Sequence, residues 1–253
     1  MTTAATIHLV RHAQGFHNLS EENESLHDPD LTPLGEQQCA DLRASFPSHD
    51  KLVRLVASPL RRTIYTAELS FGRPSLHPIV LLDLLQEVSA SPCDTGSSKA
   101  ELAAEFGDKV DLGSVRDAWT EKGPGSVFEP SLEALTARAK LARKALKKLL
   151  DEAGGGDVAV VTHGGFLHFL TDDWEDVPSN KATAWTNCMC RSYRFTEAPD
   201  DDDDDVRLVE TEESWRCRQP EHRKQLTWAE QRQLRAAVQK RVGPYLKIKS
   251  ASA

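Results

Sequence analysis

The sequence predicts an α/β protein: a three-layer α/β/α sandwich around a central, mostly parallel sheet. Three observations carry this. Short, β-branched apolar runs (TIHLV at 6–10, LVRLVA at 52–57, VAVVT at 158–162) alternate with amphipathic helical patterns. Such alternation marks parallel strands joined by right-handed crossovers, which put helices on both faces of the sheet. The run at 158–162 is apolar throughout, as a central strand covered on both sides must be.

Each element follows in order. Thr6–Val10 is the first strand and feeds a polar loop from Arg11 to Leu31. Thr32-Pro33 opens a helix with Thr as N-cap and Pro in the first turn, and Pro47 stops it. After the second strand, Leu52–Ala57, Ser58 is expected to cap a helix with Pro59 at its first position. Ile79–Leu82 is the third strand, and a short helix is expected near Lys99–Phe106. Residues 107–130 are Gly- and Pro-bearing and read as irregular, anchored by Trp119. Ser131 caps the longest helix, about 132–153, with an apolar face of Leu132, Leu135, Ala139, Ala142, Leu146 and Leu149 and a glycine stop at 154–156. Val158–Thr162 is the fourth strand and His163-Gly164-Gly165 opens the next helix. One or two strands are expected in Ala184–Phe195, a short one at Val206–Val209, and a helix over about Trp228–Val242 with a Thr227/Glu230 capping box. No internal repeat is evident.

The chain has 253 residues and a net charge of −8, which disfavours nucleic acid as a partner. The charge is uneven. Residues 214–253 carry +8 and the remainder −16. The reading is therefore a main domain over 1–213 with a basic helical extension, 214–253, expected to pack on its acidic body through Trp228, Leu234, Ala237, Val238 and Leu246. Five cysteines without regular spacing argue for a reducing compartment rather than a disulfide framework. Neither a signal pattern nor a membrane-length apolar stretch is seen, so a soluble protein of the cytoplasm, or the nucleus, is expected.

Ligands of open parallel sheets sit beyond the carboxyl ends of the strands. Arg11-His12 follows the first strand, Ser58 to Arg62 the second, and His163-Gly164 the fourth. Arg11, His12, Arg62 and His163 are thus expected in one pocket. Two guanidinium forks and helix N-termini suit phosphoryl oxygens. An imidazole whose other nitrogen is held by a backbone acceptor can attack phosphorus, and a carboxylic acid must then protonate the leaving alkoxide. Glu87, in LLQE just past the third strand, is the best-placed acid.

Four segments, RHAQGFHN (11–18), SPLRRTIYTA (58–67), LLQE (84–87) and VTHGG (161–165), together resemble the histidine phosphatase superfamily, which includes the cofactor-dependent phosphoglycerate mutases. The RHAQG-x-HN form and PCDTG at 92–96 are similar to fungal and plant phosphoglycerate-mutase-like proteins. The resemblance spans about Thr6 to Phe195. It implies that His12 is the nucleophile forming a phosphohistidine, that Arg11, Arg62 and His163 hold the phosphoryl oxygens, and that Glu87 is acid and then base. It also implies substrate contacts from Gly15, His17, Asn18 and Gly164, with Asn18 either binding phosphate or orienting its loop. No metal and no cofactor are implied, because the arginines supply the positive charge. A small phosphorylated substrate is implied. Where the mutases continue from the glutamate with a carboxylate-gripping element, this chain has Val88-Ser89-Ala90-Ser91, which favours a phosphatase over a mutase. A non-catalytic module on the same scaffold is a further alternative.

Several neighbours have plainer readings. Arg61 is expected to face solvent or an acidic partner. Glu101 and Glu105 read as a solvated helix face, and His8 as structural. Asp94 and Thr95 either line the substrate entrance or form a turn that caps the next helix. Cys188 and Cys190, taken as two positions on one strand face, read as structural thiols rather than zinc ligands. His27 is a weaker candidate than His17 for substrate contact. The aspartate run 200–205 reads as a solvated loop.

Overall fold

The computed structural model describes residues 5–197, 206–219 and 223–248; the aspartate run lies outside these. Among them, seven strands form one sheet: β1 (Ile7–Arg11), β2 (Leu52–Ala57), β3 (Ile79–Leu81), β4 (Val110–Asp111), β5 (Asp157–Thr162), β6 (Cys190–Glu197) and β7 (Val206–Glu210). Their order is β4-β3-β2-β5-β1-β6-β7. The first five in that order are parallel, and β6 and β7 are antiparallel. The helices are α1 (Pro33–Ser45), α2 (Arg61–Phe71), α3 (Lys99–Phe106), α4 (Leu132–Asp151), α5 (Gly164–Thr171), α6 (Glu212–Arg218) and α7 (Trp228–Leu246). They flank the sheet in the expected α/β arrangement.

β5 is buried along its whole length and sits at the centre, as its apolar run demands. Its parallel register with β1 pairs Ile7 with Val158 and Arg11 with Thr162. α1 starts where Thr32-Pro33 predicts, the Thr32 hydroxyl accepting from the Gly35 N–H at 3.0 Å. A Cβ on Gly35 would lie 2.1 Å from the Gln14 carbonyl oxygen, so only glycine lets α1 press against the loop after β1. Ser131 caps α4 through the Ala134 N–H, and Gly154 and Gly155 take positive φ beyond its end.

Five expectations are corrected. Ser58 caps nothing. α2 starts at Arg61, after Leu60, because the Ser58 side chain is drawn into the sheet edge by His163. The stretch after α3 is not wholly irregular, since Val110–Asp111 adds a parallel edge strand beside β3. Cys188 is not on a strand: it has φ of 55° and precedes β6, so it and Cys190 do not share a strand face. α6 is an additional helix, capped by Thr211. In α7 the buried residues are Val238, Val242 and Leu246, while Ala237 is exposed and Leu234 only partly covered.

The capping box of Thr227 and Glu230 begins α7 as its sequence requires. Ion pairs join this C-terminal region to acidic groups elsewhere: Arg235 with Asp172, Arg218 with Asp173 and Glu210, and Lys247 with Glu24. None of the helices among the described residues is long and apolar enough to cross a membrane.

Leu9 is fully buried on β1 between β5 and β6. Leu9→Ala is expected to cost about 2–5 kcal/mol of stability through lost burial and a residual cavity. Urea unfolding of the two proteins measures it.

Candidate active site

The register of the two central strands builds the site. Arg11 pairs with Thr162, and the next residue after each strand, His12 and His163, leaves the sheet alongside the other. Their ring centroids are 5.2 Å apart. The His12 N–H donates to the Thr162 carbonyl at 2.9 Å, which fixes this juxtaposition. β2 pairs with β5 on its other side, so Ser58 meets His163 from there.

Hydrogen bonds assign the imidazole tautomers. The Nδ1 of His12 lies 2.7 Å from the Ala13 carbonyl, which can only accept. Nδ1 therefore carries the proton and Nε2 presents a lone pair. His163 is the reverse. Its Nδ1 is 3.1 Å from an Arg62 Nη2 that can only donate, so its Nε2 carries the proton and donates to the Ser58 hydroxyl at 2.9 Å.

Arg62, in the first turn of α2, is fully buried. Besides His163 it bonds the Cys93 carbonyl at 2.5 Å and the Asp94 carboxylate at 3.0 Å. Asp94 is thus a member of the site. The cap of α3 is Ser98. Arg11 donates to the Trp185 carbonyl at 2.5 Å. The Nε atoms of Arg11 and Arg62 are buried and meet no acceptor among the described residues. Such donors are costly in isolation and fit oxyanion oxygens.

Glu87 is held by the start of α5. Its two carboxyl oxygens accept from the Phe166 N–H at 2.9 Å and the Gly165 N–H at 3.1 Å. A Cβ on Gly165 would fall 2.7 Å from the nearer oxygen, so glycine is required for this approach. Glu101 is taken up by the Ser98 capping box, and Glu105 by Arg61 and Tyr65. Arg61 also pairs with Asp30 at 2.9 Å, outside the cluster around His12, as its plainer reading expects.

The other predicted residues fall around the first loop. The His17 ring lies 5.4 Å from that of His12, and its buried Nδ1 has no partner among the described residues. Asn18 accepts from the Gly15 N–H at 3.1 Å, so its carboxamide oxygen orients the loop. Gly164 opens α5, and a Cβ there would stand 3.1 Å from Arg11 Nε. His27 is exposed, and His8 bonds Ser192 and Asp157 away from the site. A cavity of about 770 Å³ opens beside the cluster, with Arg11, Trp185, Asn187 and Tyr245 in its wall.

Electrostatics divide the ionisable groups. Burial, reinforced by Arg62, pushes the pKa of His12 and His163 well below 6.5, so both are neutral. His17 is depressed by the same causes to about 2. Glu87 moves the other way: desolvation, and then the Asp94 charge, raise it above the ordinary carboxyl value. Neutral imidazole lone pair and protonated carboxyl are thus favoured in one enclosed site.

Sequence reading missed two cations, Lys122 and Arg138. Lys122 is buried and donates to the Ser89 and Asp94 carbonyls, each at 2.7 Å. Arg138 is fully buried on α4, 2.9 Å from the Gln86 carbonyl, with its guanidinium 4.4 Å from the Phe166 ring centre. For Arg138 a signal existed: it falls between Leu135 and Ala142 on the apolar stripe. Nothing local marks Lys122.

A family model of the histidine phosphatase superfamily (branch 1) matches residues 7–201. The chain belongs to that superfamily. It is 30% identical over 233 residues to a phosphoglycerate mutase-like protein of Arabidopsis thaliana, covering 74% of this chain and 83% of that one. Phosphoglycerate mutase-like protein 1 of the same plant is 29% identical, covering 74% and 79%. Among solved structures, the ecdysone phosphate phosphatase of Bombix mori superposes with a TM-score of 0.53 at 17% identity, covering 89% of this chain and 99% of that chain. A mycobacterial glucosyl-3-phosphoglycerate phosphatase gives 0.50 at 20% identity, covering 82% and 97%. These likenesses bear on the fold. Family membership defines the class of activity as phosphatase or mutase-like.

The buried imidazoles make stability pH-dependent. Below 6.5 unfolded histidine takes up protons that His12 and His163 in the folded state do not, so their contribution is lost as pH falls. Glu87 works oppositely, gaining stability as pH falls. The difference between wild type and His163→Gln isolates the imidazole. Urea titrations at pH 7 and pH 5 are expected to show wild type losing more stability than the variant.

Proposed function

We propose that the protein is a phosphatase that hydrolyses a small phosphomonoester through a phosphohistidine on His12. The hydrogen bond from His12 Nδ1 to the Ala13 carbonyl carries this reading, since it leaves Nε2 unprotonated and oriented. In the first step Nε2 forms a bond to phosphorus and the ester P–O bond breaks. The leaving alkoxide takes the proton of Glu87. In the second step the Glu87 carboxylate removes a proton from water, the hydroxide attacks phosphorus, and the P–N bond breaks to release phosphate and neutral His12.

Arg11 and Arg62 flank the transferring group with His163 beside them, and the guanidinium donors strengthen as charge develops on its oxygens, while His163, engaged by Arg62 and Ser58, holds Arg62 in place. We assign the positive charge of the reaction to these arginines and none to a metal or other cofactor. Gly15, His17, Asn18 and Gly164 shape the pocket that takes the substrate. Hydrolysis is favoured over mutase transfer by the segment after Glu87. Val88 is buried there, and the Ser89 hydroxyl is turned inward onto Asp94 at 2.5 Å. Neither offers a cation for a second anionic group of the substrate. The RHAQG-x-HN motif groups the chain with the plant phosphoglycerate-mutase-like proteins it matches. Five free thiols accord with a reducing, cytoplasmic setting.

Phosphate release from sugar phosphates, phosphoglycerates, nucleotides and aryl phosphates, measured in EDTA, tests the reading. Wild type is expected to turn over at least one ester and to trap acid-labile phosphate on His12 after rapid quenching. His12→Ala is expected to lose both. Arg62→Ala is expected to lose about 10²–10³-fold in kcat, the cost of removing one oxyanion donor, while Arg61→Ala stays within about threefold because its ion pairs are superficial. Undiminished turnover in His12→Ala would refute the covalent route.

The raised pKa of Glu87 gives the pH profile a sign. Protonated Glu87 is the active acid, so kcat/KM is expected to fall as pH rises through its folded pKa, above the ordinary 4.5. A profile that rises with pH over the same range would remove Glu87 from that role.

A further inference from the structure

The segment from Gln86 to Asp94 carries the acid and the carboxylate partner of Arg62, and it has no regular strand or helix beyond one turn of 3₁₀ helix at Pro92–Asp94. Something must hold it. The Lys122 ammonium, from the irregular stretch between β4 and α4, reaches the carbonyls of Ser89 and Asp94 at 2.7 Å and that of Glu87 at 3.5 Å. Three donors and three carbonyls of one loop thus converge on a nitrogen that is nearly out of solvent.

Resting on the phosphatase reading, we propose that Lys122 is a positioning residue of the reaction: it gathers the loop that presents Glu87 and Asp94 and so fixes the acid against the start of α5 and the carboxylate against Arg62. A hydrophobic residue could fill the space but could not satisfy three inward-turned carbonyls. The charge also acts on the groups it faces. Asp94 and Glu87 lie on its own loop contacts, with Arg138 from α4 and Arg62 from α2. Glu87 is faced in turn by Asp94, Arg62, Arg138 and Arg11. Removing one positive charge from this set leaves Asp94 less opposed and makes ionisation of Glu87 harder. The ammonium itself is pulled down to about 7 by burial, so its help is greatest below neutrality.

The test compares Lys122→Met and Lys122→Arg with wild type in the full chain. Kinetics use p-nitrophenyl phosphate. Glu87 is followed separately by the pH dependence of the Gly165 and Phe166 amide resonances, which report on the carboxyl they donate to. Lys122→Met is expected to lose at least about tenfold in kcat with little change in KM, and to move the amide inflection up by about one pH unit. Lys122→Arg is expected to keep the inflection near that of wild type. If Lys122→Met does not fold, Lys122→Gln, which retains two donors without the charge, replaces it. An unmoved inflection together with wild-type kcat in a folded neutral variant would overturn the proposal. If wild type hydrolyses no ester, the phosphatase reading fails, whereas the amide titration still decides whether Lys122 acts on Glu87.

Discussion

A fully buried guanidinium governs this molecule. Arg62 has left water altogether, and a charge does so only where other groups replace the solvent. Asp94 supplies the countercharge, Cys93 a carbonyl and His163 a lone pair. Each of these must itself be held. Asp94 is braced by the Ser89 hydroxyl, His163 by Ser58, and the loop of Cys93 by Lys122. The polar interior is a connected network that holds Arg62 in place while its Nε remains open for an oxyanion oxygen.

The same guanidinium reinforces what burial does to the protonation of its neighbours. Burial already penalises charge on His12, His17 and His163, and the permanent positive charge of Arg62 adds to that penalty, so all three stay neutral. Glu87 is disfavoured as an anion first by burial and then by the Asp94 negative charge that Arg62 requires. A lone pair on His12 and a proton on Glu87 are thus favoured by the same enclosure, and the buried Arg62–Asp94 pair strengthens both.

Much of the fold was legible because its signals are local. The apolar run of β5, the Thr32-Pro33 start of α1 and the capping box of α7 are decided within a few residues. The site was legible where strand ends and motifs coincide, as at His12, Arg62, Glu87 and His163. Ser58 was misread because its sequence context is that of a helix cap, whereas a histidine 105 residues away claims its hydroxyl. Lys122 was invisible for the same reason. It sits in a polar loop and finds its acceptors 28 to 35 residues upstream. Arg138 shows a different limit: a charged residue on a helix reads as solvated unless its place in the apolar stripe outweighs its charge.

The placement of β5 at the centre has a temporal side. β1 is made first, yet its parallel partner begins at Asp157 and its antiparallel partner at Cys190. At about 5–20 residues per second a ribosome takes roughly 8–30 s to supply β5 after β1. Throughout that interval Ile7, Leu9 and Val10 have neither neighbour in the sheet, and the edges of β1 stay unpaired. Closing so long a loop comes before any gain from the contacts it allows. The pocket therefore cannot form piecemeal during synthesis. It comes into being only when the middle of the sheet closes, and until then the emerging chain depends on whatever shields an apolar strand in the cell.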